Sequence, residues 1–140
     1  MKYILDTNAV SALMKGDGAV LDRLEKVPRS DVFVPQPVLA EIAYGIERLP
    51  RSKRRASLQD RFELVRAELQ RIEWSDAVSE RFGIIKAVLE KKGQRIEDFD
   101  AAIAAHALEP DTALVTANTD DMVRVPGLKI EDWSSSSPRR

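Results

Sequence analysis

Short apolar runs at residues 2–5, 31–34, 113–116 and 128–130 are separated by segments with helical periodicity. Strands joined through helices must run parallel, because a parallel crossover needs a dozen or more residues. A parallel sheet buries both faces, so helices must cover it on either side. Right-handed crossovers then make a doubly wound α/β sandwich of three layers, with a mostly parallel central sheet, the economical architecture. The helical spacing predicts helices over 7–15, closed by Gly16, and over 18–27. Further helices are predicted over 37–49, ended by Pro50, over 52–72, over 75–92 with Ser75 as N-cap, and over 98–109. Glu73-Trp74 reads as the close of a short strand, and residues 36–72 as a helical hairpin projecting from the sheet.

A chain of 140 residues is sized for one domain, expected over 1–133. The serine-rich end, 134–140, is expected to be a disordered tail. No apolar run approaches the ~20 residues of a membrane span, and the first residues lack the pattern of a secretory signal. Cysteine is absent, which excludes disulfides and thiolate metal sites and fits a reducing, cytoplasmic setting. Net charge is −1, from 22 basic and 23 acidic residues, so any nucleic-acid affinity must come from how charge is distributed.

The first strand, Tyr3-Ile4-Leu5, stops on Asp6. Asp6 can be the N-cap of the following helix, or a ligand at the carboxyl edge of a parallel sheet, where α/β proteins place their sites. Asp100 lies in the first turn of the Ala-rich stretch D-F-D-A-A-I-A-A-H-A-L, where an acid complements the helix dipole or serves a site. Glu41 flanks the apolar stripe of V-L-A-E-I-A-Y-G-I, and the helix-interior Gly45 nearby suggests close approach of another backbone or a ligand. After Val115-Thr116, Ala-Asn-Thr-Asp-Asp brings a hydroxyl, an amide and two carboxylates to another strand end. Oxygen donors alone select hard cations, Mg²⁺ or Mn²⁺. The single histidine, His106, excludes a histidine acid–base pair and reads as a packed helix residue. No nucleotide-binding P-loop and no serine-nucleophile elbow is present.

Y-I-L-D-T-N, A-E-I-A-Y-G-I, D-F-D-A-A-I-A-A-H-A-L and L-V-T-A-N-T-D-D-M-V-R-V-P-G-L-K-I-E-D-W together resemble the PIN-domain nucleases, and within them the VapC toxins of type II toxin–antitoxin pairs. The resemblance implies a PIN-like fold and a Mg²⁺-dependent endoribonuclease, with Mn²⁺ as a substitute, that hydrolyses RNA with metal-activated water. It also implies a VapB-type antitoxin as partner, and a homodimer. By position, Asp6, Glu41 and Asp100 match three acids of the family's metal pocket, and Thr7 and Asn8 complete its D-T-N signature. At the fourth position many relatives carry an acid where this chain has Asn118; Asp121 matches an acid found slightly later, with Asp120 as its rival and Thr116 in support. Arg51, Lys53, Arg54 and Arg55, with Arg48, form a basic cluster that either holds RNA phosphates or is a solvated turn. The exposed faces of 36–72 are the expected docking groove for an amphipathic antitoxin segment. Two other readings are a phosphorylation-receiver domain, which also gathers acids at strand ends, and a catalytically weak PIN-fold binding module.

Overall fold

The computed structural model describes residues 1–134; the expected tail beyond Ser134 lies outside the described residues. Five strands, β1 (Lys2–Leu5), β2 (Val32–Pro35), β3 (Gln70–Ile72), β4 (Thr112–Val115) and β5 (Ile130–Glu131), form one sheet in the order β3-β2-β1-β4-β5. Every pairing is parallel, with Tyr3 opposite Val32 and Leu5 opposite Val115. The helices are α1 (Thr7–Met14), α2 (Gly18–Glu25), α3 (Gln36–Glu47), α4 (Lys53–Glu68), α5 (Asp76–Lys91), α6 (Asp98–Ala107) and α7 (Thr119–Met122). The chain moves outward from β1 through β2 to β3, then returns to β4 on the other side of β1. Right-handed crossovers therefore put α1 to α4 on one face and α5 to α7 on the other. The packing agrees: α1 touches α2, α3 and α4, while α5 packs against α6.

The centre of the sheet is dry. Ile4, Leu5 and all four residues of β4 are buried. Seven consecutive residues of α6, Ala101 to Ala107, are also buried, which an amphipathic surface helix would not show. Alanine makes this possible, since small side chains let the helix axis approach α5 and the sheet closely. α3 and α4 form the hairpin, and Arg61 ties it to α1 by donating from Nη1 to the Met14 carbonyl at 2.7 Å. That bond satisfies an orphan carbonyl at the α1 C-terminus.

Three sequence expectations are corrected. The helix predicted over 52–72 ends at Glu68, and Leu69 is already extended. Residues Gln70–Ile72 form β3, pairing Phe33 with Gln70, and Glu73-Trp74 lies beyond the strand. Leu58, Phe62, Val65, Leu69 and Ile72 fit one helical stripe, but the open edge of β2 offers a hydrogen-bond ladder that overrides this local pattern. Gly45 has no close neighbour: a Cβ built there meets nothing within 4 Å, so backbone crowding does not explain it.

The C-terminal segment is pinned by Trp133, which is 1% exposed. Its ring lies 5.5 Å from Tyr3, its Nε1 donates to Glu131 at 2.9 Å, and the Arg23 guanidinium sits 5.8 Å above it. Truncating it opens a cavity under β1. Trp133→Ala is expected to lower stability by about 3–5 kcal/mol, read from urea unfolding.

Candidate metal centre

In the strand order, the direction of winding reverses between β1 and β4, so the carboxyl ends of these strands border the crevice where doubly wound sheets bind ligands. Asp6 stands at the end of β1, Thr116 just past β4. Asp6 is 4% exposed and accepts from the Ala9 N–H at 2.8 Å through Oδ1. It is therefore the N-cap of α1 and a buried site acid at once. Burial pushes its carboxyl pKa up; bonds from the Thr116 hydroxyl and the Ala9 N–H oppose this, and the Glu41 charge adds to the rise. Thr116 Oγ1 also accepts from the Asn118 N–H at 2.9 Å, so one buried hydroxyl links the two strand ends.

Glu41 lies in the second turn of α3, half-buried, and its Oε1 accepts from the Thr7 hydroxyl. The threonine of D-T-N thus orients the second acid while the aspartate caps the helix. Asn8 is exposed, with its backbone N–H turned towards Asp6. Asp100 arrives from the first turn of α6. Its pKa is raised to about 6, first by burial, then by Glu41, Asp6 and Asp121, and last by Glu97. Asp121 is in the first turn of α7, held by Asn118 Nδ2 at 3.2 Å and by Arg124 Nη2 at 3.5 Å. Four acids from four parts of the chain therefore lie within electrostatic reach at one edge of the sheet.

The rival aspartates are exposed. Asp98 pairs with Lys86 Nζ at 3.2 Å, and Asp120 is exposed. The largest charge effects on Asp100 come from Glu41, Asp6, Asp121 and Glu97. Sequence reasoning passed over Glu97; its only signal was its place immediately before D-F-D. In the basic cluster Arg51, Lys53 and Arg54 are exposed. Arg55 instead pins the α3–α4 turn, donating to the Leu49 carbonyl at 3.1 Å and to Glu47 at 2.9 Å. His106 is buried, bonded through Nδ1 to the Ala102 carbonyl at 2.8 Å and set edge-on to Trp74. Burial lowers its pKa, so it is a neutral packing residue.

Among the described residues no three acidic or histidine side chains close on one point tightly enough to enclose an ion unaided. Asp6, Glu41 and Asp121 act on Asp100 at electrostatic range. Their oxygens suit a hard cation that keeps part of its water and takes only one or two carboxylates directly.

The crowding has a measurable cost. Native Asp100 keeps its proton up to about pH 6, against an ordinary value of 3.8. Between those values the native state binds more protons than the unfolded chain, so stability falls as pH rises, and the full cost is present above pH 6. In EDTA, Asp100→Asn is expected to raise stability at pH 8 by about 1–2 kcal/mol, discounted for partial exposure. Thermal melts should show that advantage shrinking as pH falls towards 4; an advantage independent of pH would contradict the cause.

Among the described residues no helix is long and apolar enough to cross a membrane. The strand order also departs from the receiver-type 2-1-3-4-5 arrangement, since β3 lies outside β2. The PIN domain family pattern matches residues 3–128. Ribonuclease VapC2 of Rickettsia felis is 32% identical over 95% of this chain and 98% of its own. The tRNA(fMet)-specific endonuclease VapC of Shigella flexneri is 28% identical over 96% of this chain and 99% of its own. The crystal structure of VapBC2 from Rickettsia felis, bound to a DNA fragment from their promoter, superposes with a TM-score of 0.84 at 29% identity, covering 95% of this chain and 99% of that one. With this match running through all four acid-bearing segments, the chain belongs to the PIN-domain family, among its VapC members.

Proposed function

We propose that this chain is a Mg²⁺-dependent endoribonuclease toxin, with Mn²⁺ able to substitute, restrained by a VapB-type antitoxin and assembled as a homodimer. The observation that carries the reading is the convergence of Asp6, Glu41 and Asp121, each oriented by a hydrogen bond, close enough to Asp100 to help raise it to about 6. Carboxylates that repel one another are expensive without a cation to offset them. Family membership and the ribonuclease names of the relatives support the same activity.

The four acids would hold the ion. Thr7 orients Glu41, Thr116 orients Asp6, and the Asn118 amide orients Asp121. Such outer hydrogen bonds fix ligand direction and basicity. When bound, the ion supplies charge for the scissile phosphate and lowers the pKa of an attacking water. Arg51, Lys53 and Arg54, exposed in the α3–α4 turn, would hold RNA phosphates, while Arg55 keeps that turn.

The antitoxin reading rests on a second surface. A cleft of about 490 Å³ runs between α1–α2 and α4, floored by Leu13, Leu24, Val65 and Leu69 and flanked by exposed Leu21 and Leu64. An amphipathic helix or strap of the antitoxin fits such a groove. It lies on the α4 side of the hairpin but draws half its wall from α1 and α2, which the sequence did not indicate.

Asp100→Asn is expected to lower RNA cleavage more than a hundredfold, and Asp98→Asn to leave it within a fewfold of wild type. Thr116→Val should lower it about 10–100-fold. Excess EDTA should abolish cleavage, and products should carry 5′-phosphates, because water attacks rather than the ribose 2′-OH. EDTA-resistant cleavage or 2′,3′-cyclic ends would overturn the mechanism; tight RNA binding with no cleavage in Mg²⁺ or Mn²⁺ would leave a binding module.

A further inference from the structure

A separate cleft of about 320 Å³ opens beside Glu41, walled by Arg95, Ile96, Glu97, Asp98 and Phe99. Phe99 is 46% exposed, an unusual condition for a phenylalanine in the first turn of a helix that is otherwise buried. It stands between Asp98, drawn outward to Lys86, and Asp100, which faces the acid pocket. The cleft wall is tied to the centre: Arg124 donates to the Arg95 carbonyl at 3.0 Å and pairs with Asp121 at 3.5 Å. The Arg95 side chain is itself exposed at the rim, 3.8 Å from Glu90.

The chemistry of this cleft is selective. Glu41 and Glu97 repel a phosphate, so the RNA backbone does not belong inside it. A neutral, flat group with N–H donors on its edge does, because the carboxylate oxygens accept and the ring offers a face. Unpaired bases of single-stranded RNA are held in this way, by stacking on aromatic side chains. We propose that the cleft between Glu41 and the start of α6 is a subsite for an unpaired nucleobase adjoining the scissile phosphate, with Phe99 as its stacking platform and Arg95 at the rim for the neighbouring phosphate. The inference rests on the ribonuclease reading and adds to it where the substrate is gripped.

Phe99→Ala, Phe99→Tyr and Phe99→Leu are compared with wild type on a short unstructured RNA that the wild type cleaves, carrying the fluorescent base 2-aminopurine at successive positions. Binding is read in EDTA as quenching on stacking, and cleavage in Mg²⁺ as KM and kcat. Wild type should quench at one position. Phe99→Ala should lose that quench and raise KM roughly tenfold at nearly constant kcat, with melting temperature and oligomer mass unchanged. Phe99→Tyr should restore both and Phe99→Leu should not. Unchanged KM and quenching in Phe99→Ala, beside an active wild type, would overturn the subsite and leave the ribonuclease reading standing. Full rescue by leucine would reduce Phe99 to a general apolar contact, and a changed oligomer mass would assign it to a protein interface; either overturns the proposal. A wild type that cleaves no RNA would overturn both readings together.

Discussion

Asp6 donates its backbone N–H to the Val115 carbonyl at 3.1 Å, and Leu5 pairs with Val115 in the parallel ladder between β1 and β4. That register decides where every site residue stands. Because side chains alternate across a strand, a slip of one residue would exchange Leu5 and Ile4 between the two covered faces and turn Asp6 away from Thr116. Both strands are buried on both faces, so such a slip would mismatch their side chains with the helices that cover them, and the register is specified by that packing. The ladder then delivers the Asp6 carboxylate, the Thr116 hydroxyl and the start of α7 to one crevice. The start of α6 reaches the same edge because a crossover helix runs antiparallel to its strands and begins where they end.

The acids are held against their own repulsion by groups that also shape the fold. Asp6 caps α1, Thr7 begins that helix and holds Glu41, and Asn118 precedes α7 and holds Asp121. Each polar group thus satisfies a neighbour and aims an acid. Asp100 has least of this support, and it carries the rise to about 6. The compact core formed by Ala101 to Ala107 behind it keeps the charge from swinging away. Stability at this edge is lowered by a constellation that suits a cation, the usual conflict between a functional site and the fold that carries it.

Much of this was legible in the sequence because it rests on local patterns with few alternatives. A strand that stops on an acid, a helix made of alanine and a polar loop after a strand each have a position in a parallel sheet before any coordinates exist. The α/β class and the central strands follow from them, while the grouping of Asp6, Glu41, Asp100 and Asp121 comes with the resemblance to the PIN-domain family. What the sequence misplaced depends on partners far away in the chain. Leu69 and Ile72 continue a helical stripe, and only the free edge of β2 makes Gln70–Ile72 a strand. Lys86 on α5, thirteen residues before Phe99, gives Asp98 an ion-pair partner that nothing within the D-F-D motif foretells. Glu97 and Phe99 became visible only once α3 and α6 were side by side. Arg55 looked like its basic neighbours until its bonds to Leu49 and Glu47 separated it from them.

Charge is nearly balanced over the chain yet divided in space, and this bears on how an acidic pocket could receive a polyanion. Glu41, Tyr44 and Arg48 stand three or four residues apart on α3, so they share one face of that helix. Tyr44 is 66% exposed, with the Arg48 guanidinium 5.9 Å above its ring. From Glu41 to Arg48 the helix advances about 10 Å, towards the turn that carries Arg51, Lys53 and Arg54. On the proposed reading, a single strand of RNA gains its phosphate contacts at that turn and crosses an aromatic and cationic stripe before reaching the acids. Only the scissile phosphate then meets the carboxylates, and there a cation reverses the local sign. Attraction and chemistry are thereby kept apart by about two turns of one helix, with Arg124, paired to Asp121, and Arg95, at the rim of the adjoining cleft, as the cations beside the acids.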